Sequence, residues 1–309
     1  MKENTWAYIG GKQVKLVDAK VGIMTHALHY GTAVFEGIRG NWNTKNASMI
    51  IFRLREHYER LIRGTRILLI DIPYDVDELC NITTDLVHKS EYKQDVYIRP
   101  IAYKSAEKIA NLKLPELEND FALMIIPFGD YIDSTRAINC CTSSWRRLDD
   151  TNIPPRVKIS GNYVNSILAK TEAVLAGFDE AIILNQSGSV SEGSGENLFI
   201  VNDGEITTPP LSDNNLDGIT RNCVFEIAKQ ELGIGIKEKT IFRSELYLAD
   251  EVFLTGTAAH ITPVGQLDKR TIGTGETGQI TTKIQNLYSD IVRGNNSKYL
   301  DWCTSVQIS

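Results

Sequence analysis

A lysine in the stretch RVKISGNYVNS, residues 156–166, has surroundings that suggest chemistry. Lys158 lies between Val157 and Ile159, two β-branched apolar residues, just before a segment that looks like a well-packed helix. An amine removed from water loses its proton more easily, and it then becomes a nucleophile or forms Schiff bases. The alternative is a lysine that points to solvent from a strand, as most lysines do. The stretch alone leaves both interpretations open.

Two segments in the second half of the chain have features of an anion site. In LDGITRN, Gly218 precedes Ile219 and Thr220 at a predicted helix start, where free N–H groups, the helix dipole and a hydroxyl would meet a phosphate. TGTAA, residues 255–259, adds two hydroxyls and a backbone that a ligand can approach closely. The alternative for a threonine at a helix start is an ordinary cap. The P-loop motif G-x-x-x-x-G-K-[ST] is absent from the sequence.

A reactive lysine together with a phosphate site predicts pyridoxal 5'-phosphate (PLP) as the cofactor. This cofactor needs a Schiff-base lysine, a phosphate site and a carboxylate near its pyridine nitrogen. Glu192 and Glu196, both in SEGSGEN, are candidates for that carboxylate. The residues alone do not choose between them.

The composition is that of an ordinary globular protein of 309 residues, long enough for two compact domains or one large one. The net charge of -6 and the lack of a Lys/Arg run argue against a nucleic-acid partner. No apolar run has signal-peptide or membrane-spanning character, and the 5 cysteines show no C-x-x-C spacing. His26 and His29 could share a helical turn, but no metal motif occurs, so no metal site is predicted. These features favour a cytoplasmic protein.

The order of the predicted elements favours an α+β fold with mainly antiparallel or mixed sheets, because strands and helices do not strictly alternate. WAYIGGKQVKLV predicts a hairpin, and helical periodicity begins near Arg55. The prediction divides the chain into an N-terminal α/β domain (1–128), an interdomain linker (129–134) and a C-terminal α/β domain (135–309) that contains the lysine.

Three helices are predicted in the second half. The first runs from about residue 162 to 176, with Gly177 as its C′ residue. Its apolar packing stripe is formed by Val164, Ile167, Leu168, Val174 and Leu175. DGITRNCVFEIAKQELG predicts the second helix, and GQITTKIQNLYSDIVRG is predicted to close the chain as the third.

Seven segments together resemble branched-chain amino acid aminotransferases, the PLP enzymes of fold type IV. They occur in the order and spacing of that family over nearly the whole chain: HALHYGTAVFEGIRG at 26–40, HYERL at 57–61, YIRP at 97–100, KISGNYVNSILA from 158, SEGSGENLF from 191, LDGITR from 216 and ADEVFLTGTAAHITPV from 249. The resemblance implies a two-domain fold like that of D-amino acid aminotransferase. It also favours the chemical interpretation of the lysine.

The resemblance implies a cofactor site made of Arg60, Lys158, Tyr163, Glu192, Leu216, Gly218, Ile219, Thr220, Gly256 and Thr257. In it, Lys158 is similar to the lysine that holds PLP and transfers the proton. Glu192 occupies the place of the carboxylate that pairs with the pyridine nitrogen, and Tyr163 resembles the tyrosine that bonds the cofactor's O3′. Arg60 matches a phosphate ligand, although without the resemblance it looks like an ordinary arginine on a helix surface.

The resemblance also implies a substrate site made of Tyr30, Phe35, Tyr97, Arg99, Phe128, Thr257 and Ala258. Thr257 and Ala258 would receive the α-carboxylate with help from Tyr97, and Arg99 the distal carboxylate of glutamate. Tyr30 would come from a neighbouring subunit. Together with Arg39 as an interface residue, this implies a homodimer or a higher homo-oligomer.

The implied activity is a ping-pong transfer of the amino group between branched-chain L-amino acids (leucine, isoleucine, valine) and 2-oxoglutarate, in branched-chain amino acid biosynthesis. Phe128 stands where many members have tryptophan, and His260 where glutamate is common, so the finer substrate preference is left open. The alternatives are a class IV transaminase with broadened specificity, toward (R)-amines or D-amino acids, and a non-catalytic phosphate- or PLP-binding protein. The expected partners are small amino acids and 2-oxo acids, not nucleic acids or membranes.

Overall fold

The structure is a computed structural model that describes residues 5–129 and 136–308. Their contacts group them into two compact units. The first unit contains the described residues up to 129, residues 158–161 and those from 290 onward, and the second contains residues 136–157 and 162–289. All of the predicted linker except residue 129 lies outside the described residues. The domain boundaries therefore stay a prediction.

The described residues form α-helices and β-strands in both halves, joined by short 3-10 helices. The strands are β1 (Trp6–Ile9), β2 (Lys12–Lys15), β3 (Ala33–Phe35), β4 (Ile38–Asn43), β5 (Ser48–Phe52), β6 (Val96–Lys104), β7 (Asn119–Pro127), β8 (Ile138–Arg146), β9 (Glu180–Leu184), β10 (Val190–Gly193), β11 (Asn197–Asn202), β12 (Glu205–Thr208), β13 (Ile236–Glu238), β14 (Glu251–Gly256), β15 (His260–Leu267), β16 (Arg270–Thr271) and β17 (Cys303–Gln307). The helices are α1 (His26–Tyr30), α2 (Leu54–Thr65), α3 (Val76–Ser90), α4 (Tyr163–Leu175), α5 (Ile219–Glu231), α6 (Arg243–Tyr247) and α7 (Gln279–Val292). None of the helices among the described residues is long and apolar enough to cross a membrane.

The first unit is built on an eight-stranded sheet in the order β17-β5-β4-β6-β7-β1-β2, with β3 also pairing with β6. Its described pairings are antiparallel. In β6, Val96, Ile98 and Pro100 are buried on one face. Because side chains alternate along a strand, Tyr97 and Arg99 share the opposite face. The strand thus places two polar side chains side by side over the sheet.

The second unit is built on a nine-stranded mixed sheet in the order β10-β9-β8-β15-β14-β11-β12-β13, with β16 paired to β15. Strand β8 is parallel to both β9 and β15, and β12 is parallel to β13. Strand β9 is buried on both faces: Ile182 and Leu184 join the larger apolar core, while Ala181 and Ile183 pack against α4. The sheets confirm the predicted α+β fold class with antiparallel and mixed pairing.

The segment at residues 158–161 belongs by its backbone contacts to the first unit, whereas the sequence placed the lysine in the C-terminal domain. The carbonyl of Lys158 accepts a hydrogen bond from the N–H of Phe35 at 3.0 Å, and the N–H of Gly161 donates to the carbonyl of Gly31 at 3.2 Å. Gly31 has a φ of +67°, and a Cβ on it would lie 2.8 Å from the Gly161 Cα. The two glycines therefore allow the backbones to approach closely enough to fix the lysine's position.

Helix α4 ends as predicted, with Gly177 at a φ of +82° after its last residues, but its apolar stripe is not the face that packs on the sheet. The helix instead buries Ser166, Ala169 and Ala173, because small side chains let it lie close to β8 and β9. The five residues of the predicted stripe have exposed fractions between 37% and 84%: Val164, Ile167, Leu168, Val174 and Leu175.

The chain closes with a strand and not, as predicted, with a helix. Helix α7 is followed by the 3-10 helix Ser297–Trp302 and then by β17. Strand β17 pairs antiparallel with β5, with Cys303 opposite Phe52. A five-residue edge strand has too little hydrophobic alternation to be recognised without its partner strand.

Candidate active site

The buried carboxylate of Glu192, on β10, has one cation and two hydrogen-bond donors beside it in the second unit. Its Oε1 forms an ion pair with Nε of Arg147 at 2.8 Å. Its Oε2 accepts the backbone N–H of Leu216 at 3.1 Å and the Nδ2 of Asn197 at 3.3 Å. A cation and two donors around one carboxyl suit its ionised form, which only accepts hydrogen bonds. Glu192 can therefore hold a cationic group nearby.

The N-terminus of α5 lies just after Leu216, whose backbone N–H binds this carboxylate. Gly218 is its N-cap, and no side chain of the described residues caps it. A Cβ on Gly218 would lie 2.0 Å from Oδ1 of Asn197, so only glycine fits beside that amide. Thr220 is buried in the first turn. Open N–H groups, a hydroxyl and the positive end of the helix dipole suit a phosphate here.

The N-terminus of α7 is a useful contrast within the same unit. The carboxylate of Glu251 accepts the N–H groups of Ile280 and Thr281 at 3.0 and 2.8 Å. This helix also follows GTGETG, residues 273–278, whose G-x-G-x-x-G spacing resembles a dinucleotide-binding fingerprint. The preceding strand β16 is a two-residue antiparallel edge strand, so the βαβ context of that fingerprint is missing. The carboxylate of Glu251 therefore already occupies the anion position at the N-terminus of α7.

The turn between β14 and β15 contains the predicted α-carboxylate ligands. Thr257 and Ala258 are half-buried there, next to Gly256 at the end of β14. The hydroxyl of Thr255 is buried without a hydrogen-bond partner among the described residues. Such a group indicates that a polar ligand belongs nearby, because an unsatisfied buried hydroxyl is costly. The imidazole of His260 lies 5.8 Å from the ring of Tyr288.

A buried network around Glu36 organises the first unit. Arg60 donates from Nε and Nη2 to the two oxygens of Glu36, both at 2.7 Å, and Nδ1 of His57 lies 2.8 Å from Oε2. Burial alone would raise the pKa of Glu36, but Arg60 and His57 hold it well below its usual range. The side chain of Arg60 is only 11% exposed. It is therefore not the surface arginine that its helix position suggests.

The side chain of Lys158 is half-buried in the same unit. Burial lowers the pKa of His57, and the charge of Lys158 acts in the same direction. The lysine is thus close enough for its charge to act on the buried network. Sequence reasoning missed Glu36 and His57 as members of this site, although an acid inside the apolar run TAVFEG was the available signal.

An aromatic and cationic cluster lies at the end of β6. Nη2 of Arg99 donates to the phenolic oxygen of Tyr97 at 2.9 Å, and its guanidinium carbon lies 4.4 Å from the ring centre of Phe35. The rings of Tyr97 and Phe128 are 5.0 Å apart. Nε of Arg99 is buried without a partner among the described residues. A guanidinium with a spare donor on an aromatic surface suits a carboxylate at the edge of an apolar site.

Tyr30 and Arg39, which were predicted to lie at a subunit interface, make hydrogen bonds within their own chain. The hydroxyl of Tyr30 accepts the N–H of Ala110 at 2.9 Å, and 39% of this tyrosine is exposed. Arg39 is buried, donates to the carbonyl of Gly129 at 3.0 Å and pairs with Asp95 at 3.5 Å. Arg39 therefore makes firm contacts within its own chain.

The predicted site residues divide between the two units. The first unit contains Tyr30, Phe35, Arg60, Tyr97, Arg99, Phe128 and Lys158. The second contains Tyr163, Glu192, Leu216, Gly218, Ile219, Thr220, Gly256, Thr257 and Ala258. The structure brings Tyr97 together with Arg99, and Glu192 together with Leu216.

Comparison with known proteins identifies the family. Residues 33–267 match amino-transferase class IV. The chain is 49% identical over 97% of its length to a probable branched-chain-amino-acid aminotransferase of Aquifex aeolicus, covering 96% of that protein. It also matches the crystal structure of a branched-chain aminotransferase from Thermoproteus uzoniensis with norvaline, with a TM-score of 0.92 and 45% identity over 97% of this chain and 98% of that one.

A further solved structure is that of a branched-chain amino acid aminotransferase from Thermobaculum terrenum in its PLP-form. Its TM-score is 0.91 at 35% identity, and the match covers 98% of this chain and 99% of that one. The chain belongs to the class IV aminotransferases. Within that family, the relatives described here are branched-chain aminotransferases, which confirms the resemblance found in the sequence.

Proposed function

We propose that the protein is a PLP-dependent aminotransferase that moves the amino group between branched-chain L-amino acids and 2-oxoglutarate by a ping-pong mechanism. The family and the names of its relatives support this activity. The main structural support is the hydrogen bond from the N–H of Leu216 to Oε2 of Glu192 at 3.1 Å. It ties a buried carboxylate to the segment that leads into the uncapped N-terminus of α5. The segment 216–220 therefore lies beside a partner for a ring cation and itself offers a phosphate site.

The residues present fit PLP. When bound, the cofactor supplies an aldehyde for covalent attachment and a ring that accepts electrons from the substrate's α-carbon. Lys158 would hold the aldehyde through Nζ and would move the proton at the substrate's α-carbon. Glu192 would favour the protonated pyridine nitrogen, since its negative charge stabilises the cationic form. Tyr163 would donate a hydrogen bond to the ring oxygen O3′.

The phosphate is held at the N-terminus of α5 and by two further residues. Ile219 and Thr220 contribute N–H groups and a hydroxyl, and Thr257 adds a second hydroxyl. Arg60 contributes positive charge, with its orientation set by the bidentate contact to Glu36. Gly218 and Gly256 leave room for the cofactor, and Leu216 packs on its ring.

Substrate recognition uses the aromatic cluster and the loop after β14. Thr257 and Ala258 bind the α-carboxylate, assisted by the hydroxyl of Tyr97. Phe35 and Phe128 line the apolar part of the site, and Tyr30 of a second copy completes it. Arg99 receives the second carboxylate of glutamate or 2-oxoglutarate, since its buried Nε still has a hydrogen to donate. An arginine at the edge of an apolar site lets one enzyme accept both leucine and glutamate.

A screen of half-reactions tests this function. The purified protein is loaded with PLP and mixed with one amino compound at a time, while cofactor absorption and the 2-oxo acid product are measured. We expect reaction with leucine, isoleucine, valine and glutamate. Faster reaction with D-alanine or an (R)-amine than with leucine would contradict the substrate assignment. A protein that binds PLP but forms no 2-oxo acid from any compound would be a binding protein.

We also propose a homodimer or a higher homo-oligomer in the cytoplasm. The outer face of α4 exposes Ile167 at 60% and Leu175 at 84%, which is unusual for large apolar residues on a helix and suits burial against a second copy. The five cysteines show no C-x-x-C spacing and their odd number argues against a disulfide framework, which supports a reducing compartment.

A further inference from the structure

Three buried carboxyl groups share one region of the second unit with two cations. Glu180, fully buried on β9, has its Oε2 2.6 Å from Nζ of Lys170. Glu192 has Nε of Arg147 at 2.8 Å. Glu196, only 3% exposed, forms no ion pair with any cation among the described residues. Two of the three carboxyl groups thus have a counter-charge of their own, and Glu196 has none.

The position of Glu196 is sterically fixed. Its Oε2 accepts the backbone N–H of Gly195 at 3.0 Å. A Cβ on Gly193 would lie 2.8 Å from that Oε2, and a Cβ on Gly256 would lie 3.6 Å from the Cγ. The lack of a Cβ at Gly193 therefore leaves room for this carboxyl, whereas a Cβ at Gly256 would make an ordinary contact with it. A buried carboxylate held this way, with one neutral donor, would be expensive to ionise.

The charged groups around Glu196 include some that raise its pKa and some that lower it. Burial raises the pKa of Glu196 to about 8, and the charges of Glu180 and Glu192 raise it as well. The N–H of Gly195 and the charge of Lys170 lower it. The titratable and charged groups around it are Glu180 on β9, Lys170 on α4, Glu192 on β10, Arg147 after β8 and Cys140 on β8. Burial and the neighbouring negative charges therefore favour the protonated form of this carboxyl.

We propose that Glu196 is a positioning residue for the cofactor: it is a neutral acid in the cofactor-free protein and ionises when a protonated pyridine ring binds at Glu192. This inference rests on the proposed role of Glu192. Without the ring, two carboxylates and two cations balance, and a third carboxylate would leave a buried excess charge. A ring cation supplies the missing positive charge, so ionised Glu196 then restores the balance.

The proton transfer is balanced without any other reactant. On binding of an unprotonated ring, the O–H bond of Glu196 would break and the ring nitrogen would gain the proton as a new N–H bond. When the ring is already protonated, the proton passes to water. In both cases Glu196 gives the site a second negative charge that favours the protonated pyridine.

Infrared spectroscopy of the full-length chain tests the proposal directly, since a protonated carboxyl group has a C=O band that a carboxylate lacks. We expect the cofactor-free protein with ¹³C-labelled glutamate to show an isotope-shifted acid band at pH 7 that disappears with a midpoint near pH 8. The band should be absent in Glu196→Gln and present in Glu192→Gln. An acid band that survives Glu196→Gln, or its absence from the wild type, would overturn the proposal.

Loading the chain with PLP is the second part of the infrared experiment. We expect the band to be lost at pH 7 on loading, and a band that persists with cofactor bound would contradict the link to Glu192. Cofactor absorption shows whether PLP has bound at all, so failure of the proposed function is told apart from failure of this inference. Glu196→Asp is the conservative variant if the amide does not fold, and with labelled aspartate in place of labelled glutamate it should retain an isotope-shifted acid band. Glu180→Gln should move the midpoint to lower pH, because it removes a neighbouring charge.

Discussion

Arg99 and Tyr97, two residues apart on β6, are joined by a hydrogen bond of 2.9 Å from the guanidinium to the phenolic oxygen. The period of a strand predicts that both face the same side of the sheet, and they do. The contact pre-orients the arginine beside the ring of Phe35, 4.4 Å away, so less side-chain freedom is lost when a carboxylate binds.

Arg99→Ala is expected to weaken the binding of glutamate and 2-oxoglutarate by roughly ten- to over a hundred-fold. The reason is that a charge-assisted hydrogen bond contributes about 1.5–3 kcal/mol. Leucine has no second carboxylate, so its binding should change little. Single-turnover kinetics of the two half-reactions measure this difference. Equal losses for leucine and glutamate would show that the arginine is structural.

Lys158→Ala is expected to abolish covalent attachment of the cofactor and to lower transamination by several orders of magnitude. The loss of a general base alone costs about 10²–10⁴ in rate. Some PLP should still bind through the phosphate site, as measured by absorption after gel filtration. Lys113→Ala, which removes a lysine that is 75% exposed, is the matched control and should leave activity unchanged. Near-normal turnover in Lys158→Ala would contradict the assignment of Lys158 as the lysine that holds the cofactor.

Glu192→Gln is expected to leave the fold intact and to slow both half-reactions, because a neutral amide no longer favours the protonated pyridine. The absorption spectrum of the bound cofactor should change with it, and circular dichroism checks the fold. If Glu196→Gln slowed both half-reactions and Glu192→Gln did not, the pyridine partner would be the other carboxylate.

Glu36→Gln should destabilise the protein at pH 7 by about 3–5 kcal/mol, the usual cost of breaking a buried ion pair. The pKa of Glu36 is lowered in the folded protein, so its contribution is present above its ordinary value of 4.5 and is lost as pH falls further. The Tm difference between wild type and variant should therefore shrink in acid. Glu56→Gln, which breaks the half-exposed pair with Arg53, should cost only about 0–1 kcal/mol. Similar Tm losses for the two variants would refute a special role for the buried network.

Ile167→Arg is expected to lower the oligomeric state, since a charge on the outer face of α4 cannot be buried against a second copy without a large cost. Sedimentation velocity measures the change. Leu248→Arg, at a position of the second unit that is 79% exposed and outside the stripe, is the control and should assemble normally. An unchanged sedimentation coefficient for Ile167→Arg would place the subunit contact elsewhere.

Local signals in the sequence were enough for many of the elements. The hairpin at Gly10 and Gly11 and the end of α4 at Gly177 both depend on residues within one or two turns. At α3, Asp75 and Glu78 cap each other's backbone N–H groups. The candidate lysine and the two candidate carboxylates lie in motifs of a few consecutive residues, but only the resemblance to a known family favoured Lys158 and Glu192 over the alternatives.

Only the tertiary structure decided which of these groups are paired, because their partners are distant in the chain. Arg147 forms an ion pair with Glu192, and Arg60 forms one with Glu36. Glu196 has no ion-pair partner among the described residues. The tertiary structure also turned the large apolar residues of α4 outward, since the face of β8 and β9 accepts only small side chains there. Periodicity shows that a helix has an apolar stripe, but which face is buried depends on the shape of the surface that it meets.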